Sequence, residues 1–174
     1  MQAKSKFTYL LTLFVVNIHA PRPFVIDDVK LSVVVIGDIG VREAESVIKQ
    51  RVVQTIQREH QSNPFRLGIN LGGNQYPHGS ATEDFQTLKD VFALSFPKNV
   101  FQFDFLTVAG KVDHDGDVYT QLHYYLQDPR FHMPRRHFYY GMSSNVKDVQ
   151  LSDMTLIRFV CIDSTPLYSS HLSN

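Results

Sequence analysis

"KLSVVVIGD", residues 30 to 38, decides the fold. Its apolar run is short, nearly continuous, rich in valine and closed by glycine, which predicts a strand buried on both faces. The residues after it change period. Val41, Ala44, Ile48, Val52 and Ile56 recur every three or four positions between Arg, Glu, Lys and Gln, the pattern of an amphipathic helix over Val41 to His60. "NPF" at 63 to 65 ends it, because Pro64 cannot continue a helix.

The same alternation continues downstream. A second buried strand is predicted from Arg66 to Leu71, before the glycine pair of "GGNQY" at 72 to 76. Ser80 and Glu83 have capping-box spacing ahead of a helix through Phe85, Leu88, Val91 and Phe92. "FQFDFLTVAG", 101 to 110, is a third strand, and Asp117 is placed to cap a helix ending near Tyr125. "HFYYGM" and "TLIRFVCID" read as two more strands. Strand, loop and helix in three rounds predict an α/β fold with a mostly parallel sheet flanked by helices.

Composition narrows the function. Formal net charge is zero, from 17 Lys and Arg against 17 Asp and Glu, so nucleic acid is excluded as the expected partner for want of a basic surplus. The single cysteine, Cys161, excludes a disulfide framework and multi-cysteine metal motifs, and its apolar setting predicts a structural thiol. Residues 1–23 carry Lys4 and Lys6 before an apolar stretch from Phe7 to Val16 and then Ala20, the layout of a signal peptide or signal anchor. The expectation is entry to the secretory pathway, with membrane association only through that segment.

In an open α/β sheet, ligands bind outside the carboxyl ends of the strands. "GDIG" at 37 to 40, "GGNQY" at 72 to 76, "GKVDHDGD" at 110 to 117 and "DST" at 163 to 165 fall there. A dinucleotide loop does not fit, since "GDIGVREA" lacks the third glycine and puts an acid at the turn. An EF-hand does not fit either, because Gly116 comes early and Tyr124 stands where the closing glutamate belongs. Asp113 and His114 read as hydrogen-bonding residues that structure the loop, and the basic "HMPRRH" turn at 132 to 137 as a solvated one.

Taken in order and at their separations, these loops resemble the purple acid phosphatases of the tartrate-resistant type, within the calcineurin-like metallophosphoesterases. The family blocks GDxG, GDNxY and GNHD are similar to "GDIG", "GGNQY" and "GKVD", and the likeness extends through "EDFQTLKDVF", "DHDGDVYTQLHYY", "FHMPRRHFYYGM" and "CIDST". The resemblance implies an αββα sandwich, of which residues 30–174 are the N-terminal half. It also implies hydrolysis of a phosphomonoester by a dinuclear centre of iron, or iron with zinc or manganese.

Matched one at a time, Asp38 stands at the first-metal aspartate and Tyr76 at the metal-binding tyrosine. Gly73 replaces the aspartate that bridges both metals, Lys111 the asparagine that binds the second, and Val112 the neighbouring histidine. The family's histidine ligands in GHxP- and GHxH-like blocks have no counterpart, and His171 lies in no such block. The expectation is therefore an incomplete or absent metal centre and an impaired phosphatase, with Lys111 pairing with Asp38 in the vacated space. The alternative is a non-catalytic scaffold or membrane-complex component, since the apicomplexan glideosome-associated proteins resemble purple acid phosphatases and depart from them at the same blocks. The half-sandwich is further expected to leave an open sheet edge for a protein partner.

Overall fold

The structure is a computed structural model and describes residues 24–140 and 148–168. Residues 1–23, read as the signal segment, and His171 lie outside the described residues.

Four short parallel strands form the central sheet in sequential order: β2 (Val33–Ile36), β3 (Leu67–Asn70), β4 (Phe105–Thr107) and β5 (Phe131–His132). The strand numbers count β1 (Phe24–Val25) first in the chain. Sequential order with crossovers of one hand places every connecting helix on the same face. The packing agrees, because Val53 of α1 (Val47–Ser62), Leu88 of α2 (Phe85–Leu88), and Val118 and Tyr124 of α3 (Val118–Tyr124) share one core cluster with Val34, Ile36, Phe105 and Phe131. Phe92, Phe96, Phe101, Phe105 and Phe131 are fully buried there, with ring centroids 5.1 to 6.3 Å apart and mostly edge-on or tilted. Gly68 makes room for them: a Cβ at that position would lie 2.3 Å from the Phe105 ring.

Leu67 and Leu106 point to the opposite face and pack on Phe138, Phe159 and Cys161. These come from or adjoin an antiparallel pair, β6 (His137–Tyr139) with β9 (Val160–Ile162). A third small sheet joins β1 to β7 (Val149–Gln150) and β8 (Leu156–Ile157). Tyr140 and Phe159 touch both of the clusters on this side. The described residues thus supply three layers, helices on a parallel sheet on antiparallel strands, and the α/β expectation holds.

Local boundaries depart from the sequence reading in several places. A 3-10 turn (Glu43–Glu45) precedes α1, whose N-cap Ser46 accepts from the Lys49 amide. The second helix is capped by Asp84, not Ser80: Asp84 accepts from the Thr87 amide, and after α2 the chain widens into a π-helical turn (Lys89–Ala93). Ser80 is instead buried, with its carbonyl accepting from the Asp117 amide. "TLIRFVCID" splits into β8 and β9, with Arg158 reaching Asp148 across the surface. The chain closes the described region with α4 (Thr165–Tyr168).

Candidate active-site loops

The parallel sheet brings the carboxyl-end loops together, as the strand order requires. The Asp38 amide donates to the Gly72 carbonyl and the Gly40 amide to the Gly73 carbonyl, both at 2.8 Å, while the Tyr76 amide donates to Gly40. Loops 37 to 40 and 72 to 76 are therefore zipped by backbone hydrogen bonds.

Asp113 ties the third loop to the second. Its carboxylate is fully buried and accepts from five donors: the amides of Gly73, Asn74, Gln75 and Gly110 and the Gln121 side chain, at 2.8 to 3.3 Å. Acceptance of several amides is what makes a buried carboxylate tolerable. Asn74 extends the network by donating to the Val108 carbonyl and to Gln121 Oε1. His114 bonds Asp163 at 2.8 Å, with both side chains buried, and so fastens the loop to the end of β9. Asp113 and His114 are thus structural residues, as the sequence suggested. Gln121 gave no signal there, because a glutamine at a helical position matches no motif.

The five family-matched positions line one open cavity of about 470 Å³: Asp38, Gly73, Tyr76, Lys111 and Val112, with Asp115 at the same opening. Tyr76 donates its hydroxyl to Asp38 Oδ1 at 2.7 Å. That hydrogen bond, with some burial, holds the phenol above its ordinary pKa. The expected pairing of Lys111 with Asp38 does not occur: among the described residues no hydrogen bond or ion pair joins them, and Lys111 is exposed. The reason is local. Gly73 has φ +68, and a Cβ there would sit 2.4 Å from Asp38 Oδ1, so the Asp38 carboxylate already fills the space left by the missing side chain. Asp38 itself has φ 53, a left-handed conformation that aspartate adopts more readily than most residues. His78 is exposed and takes no part in lining the cavity.

A dinuclear centre needs oxygen donors that hold two cations at bridging distance. Position 73 offers none, its side-chain volume is occupied, and the Lys111 ammonium lines the same cavity. Among the described residues no group of three or more His, Cys, Asp or Glu is arranged to hold a metal ion. The residues present do not fit the family's dimetal group.

No family model and no curated protein matches the chain. Among solved structures it is similar to one described as GAP50, the anchor in the inner membrane complex of Plasmodium, with a TM-score of 0.62 at 18% identity over 80% of this chain. The match covers 44% of that structure, so this chain spans less than half its length. The likeness shows the fold alone, an α/β architecture that this membrane-complex anchor also adopts.

Proposed function

We infer that this chain is a binding scaffold built on the phosphatase fold, its dinuclear phosphomonoester hydrolysis lost or severely impaired. One observation carries the reading: Gly73 stands at the position matched to the bridging carboxylate, and Asp38 Oδ1 lies against the space where its side chain would begin and accepts from Tyr76. The Tyr76 phenol, the engaged Asp38 carboxylate, Asp115 at the opening and Lys111 leave position 73 without the oxygen donor that would bridge two cations. The loops nevertheless remain ordered by Asp113 and by the buried His114 to Asp163 bond, which keeps a shaped surface without the chemistry. The solved structure of similar fold is an anchor in a membrane complex, which supports a scaffold role in a secretory or membrane compartment. Among the described residues no helix is long and apolar enough to cross a membrane.

The test is metal content and turnover together. After incubation with iron, zinc and manganese salts, the protein is expected to retain no stoichiometric pair of ions. At acidic pH it is expected to hydrolyse a chromogenic phosphomonoester no faster than its Asp38→Ala variant. Two ions per chain with Asp38-dependent turnover would overturn the reading and restore an acid phosphatase.

A further inference from the structure

His132 sits where the parallel sheet meets its antiparallel layer. It ends β5, and since its neighbour Phe131 joins the helix-side core, the alternation of a strand turns His132 the other way, beside its register partner Leu106. Three rings close around the imidazole, each edge-on. They are Tyr125 at the end of α3, Phe138 of β6 and Tyr140 just after it, with centroids 5.1, 5.5 and 5.3 Å away. His132 is 5% exposed, and its Nε2 is buried with no hydrogen-bond partner among the described residues. Buried polar atoms are nearly always paired. An apolar ring would make these contacts without orphaning an atom, so packing alone does not account for a histidine here.

The titratable groups facing it are the phenols of Tyr125 and Tyr140 and the carboxylate of Asp104, with the Cys161 thiol opposite Phe138 in β9. Asp104 is already engaged, accepting from the Tyr140 hydroxyl at 2.8 Å. Burial holds the imidazole below its ordinary value of 6.5, and Asp104 opposes this less strongly. The closed layer thus keeps His132 neutral at a pH where an imidazole in water takes up a proton. Acid therefore favours any opening that exposes it.

The contacts define what would open. Phe138 and Tyr140 belong to the strand that pairs with β9, and β9 leads into Asp163, whose carboxylate fastens His114 of loop 110 to 117. The other face of the parallel sheet keeps its own phenylalanine core with the helices. We propose that His132 is an acid-sensitive latch between the layers: a proton taken up by its imidazole releases β6 and β9, while the parallel sheet and its helices stay in place. Release of β9 slackens the hold of Asp163 on the loop, so the latch regulates the surface that the loop helps to form. It goes beyond the scaffold reading and holds whether or not the cavity hydrolyses anything.

The test is hydrogen exchange of the whole chain followed by mass spectrometry, from about pH 7 to about pH 5, the range in which imidazole titrates. After correction for the intrinsic rate, amides of 137–139 and 160–162 are expected to exchange several-fold faster in acid, and those of 67–70 and 105–107 at an unchanged rate. One proton taken up on opening limits the rise to about tenfold per pH unit. His132→Phe keeps an aromatic ring in place and is expected to abolish the acceleration; His114 and His137 are common to both proteins, so the difference belongs to His132. Nuclear magnetic resonance titration of the wild-type imidazole needs no variant and is expected to place His132 below the ordinary 6.5. A midpoint at or above that value, the same acceleration in His132→Phe, or equal loss of protection in the parallel strands would each overturn the proposal.

Discussion

The Tyr76 hydroxyl donates to Asp38 Oδ1 at 2.7 Å, and that same oxygen would lie 2.4 Å from any Cβ placed on Gly73. The glycine at 73 and the Asp38–Tyr76 bond are thus sterically linked, since a side chain at 73 would displace the accepting oxygen. The cavity keeps two residues of the family pattern, but they are bonded to each other. An aspartate whose oxygen accepts a phenol proton is a weaker donor to any cation that enters.

The Tyr76 phenol is expected to ionise above the ordinary tyrosine value of about 10, because the hydrogen bond to Asp38 stabilises its protonated form. An ultraviolet difference titration of wild type against Tyr76→Phe should isolate this late-ionising group. Asp38→Asn should bring it back towards the ordinary value by removing the negative charge. The sign for stability follows: as pH rises past 10 the unfolded phenol releases its proton before the folded one, so this group's contribution falls with pH. A Tyr76 that titrates normally in the wild type would exclude the bond in solution.

Gly73→Ala is expected to cost about 1–2 kcal/mol for the left-handed backbone alone, and more because Asp38 must move. The second part is separable. In a double-mutant cycle with Asp38→Ala, which clears the obstructing oxygen, the double mutant should lose less than the sum of the two single losses, by about 0.5 kcal/mol or more. Strict additivity in urea denaturation would mean that Asp38 does not occupy the space beside Gly73.

Asp113→Asn is expected to be among the most destabilising single changes in the chain, at about 3 kcal/mol or more. Five donors converge on this buried carboxylate, and an amide would aim its own NH₂ at some of them. The measurement is the urea midpoint at unchanged m-value. A loss under about 1 kcal/mol, the scale of one ordinary hydrogen bond, would show that the two loops are held by something other than Asp113.

Much of this was legible from pattern. The valine run fixed β2, the glycine-bounded loops fixed where ligand-type residues gather, and Asp117 was read as a cap and is one. Two kinds of fact were not. The stripe Val41, Ala44, Ile48, Val52 and Ile56 marks a helix that is there but misplaces its start and its face: Val41 and Ala44 precede α1, and Val53 with Ile56, not Ile48 and Val52, meets the core, because periodicity alone does not say which side of a helix rests on the sheet. The partner of Asp38 was misjudged for a related reason. Matching positions in the family pattern suggested Lys111, whereas backbone conformation at Gly73 and Asp38, invisible in composition, directs the carboxylate to Tyr76.

Lys49 joins these levels and gives the last test. It leaves α1 to donate to the carbonyls of Ile39, Val41 and Val91 at 2.6 to 2.7 Å, bracing the loop after β2 against the π-helical turn. Lys49→Met would strip three carbonyls of a charged donor, at an expected cost of about 2 kcal/mol. Burial also lowers the ammonium from 10.5 to about 8. Between those values the unfolded chain holds a proton that the folded chain has released, so this group makes stability rise with pH from about 8 towards 10.5, and contributes no slope below. Chemical denaturation across that range should show a wild-type slope that Lys49→Met flattens. Equal slopes in the two proteins would mean that Lys49 keeps its proton in the fold and that the three carbonyls outweigh its burial.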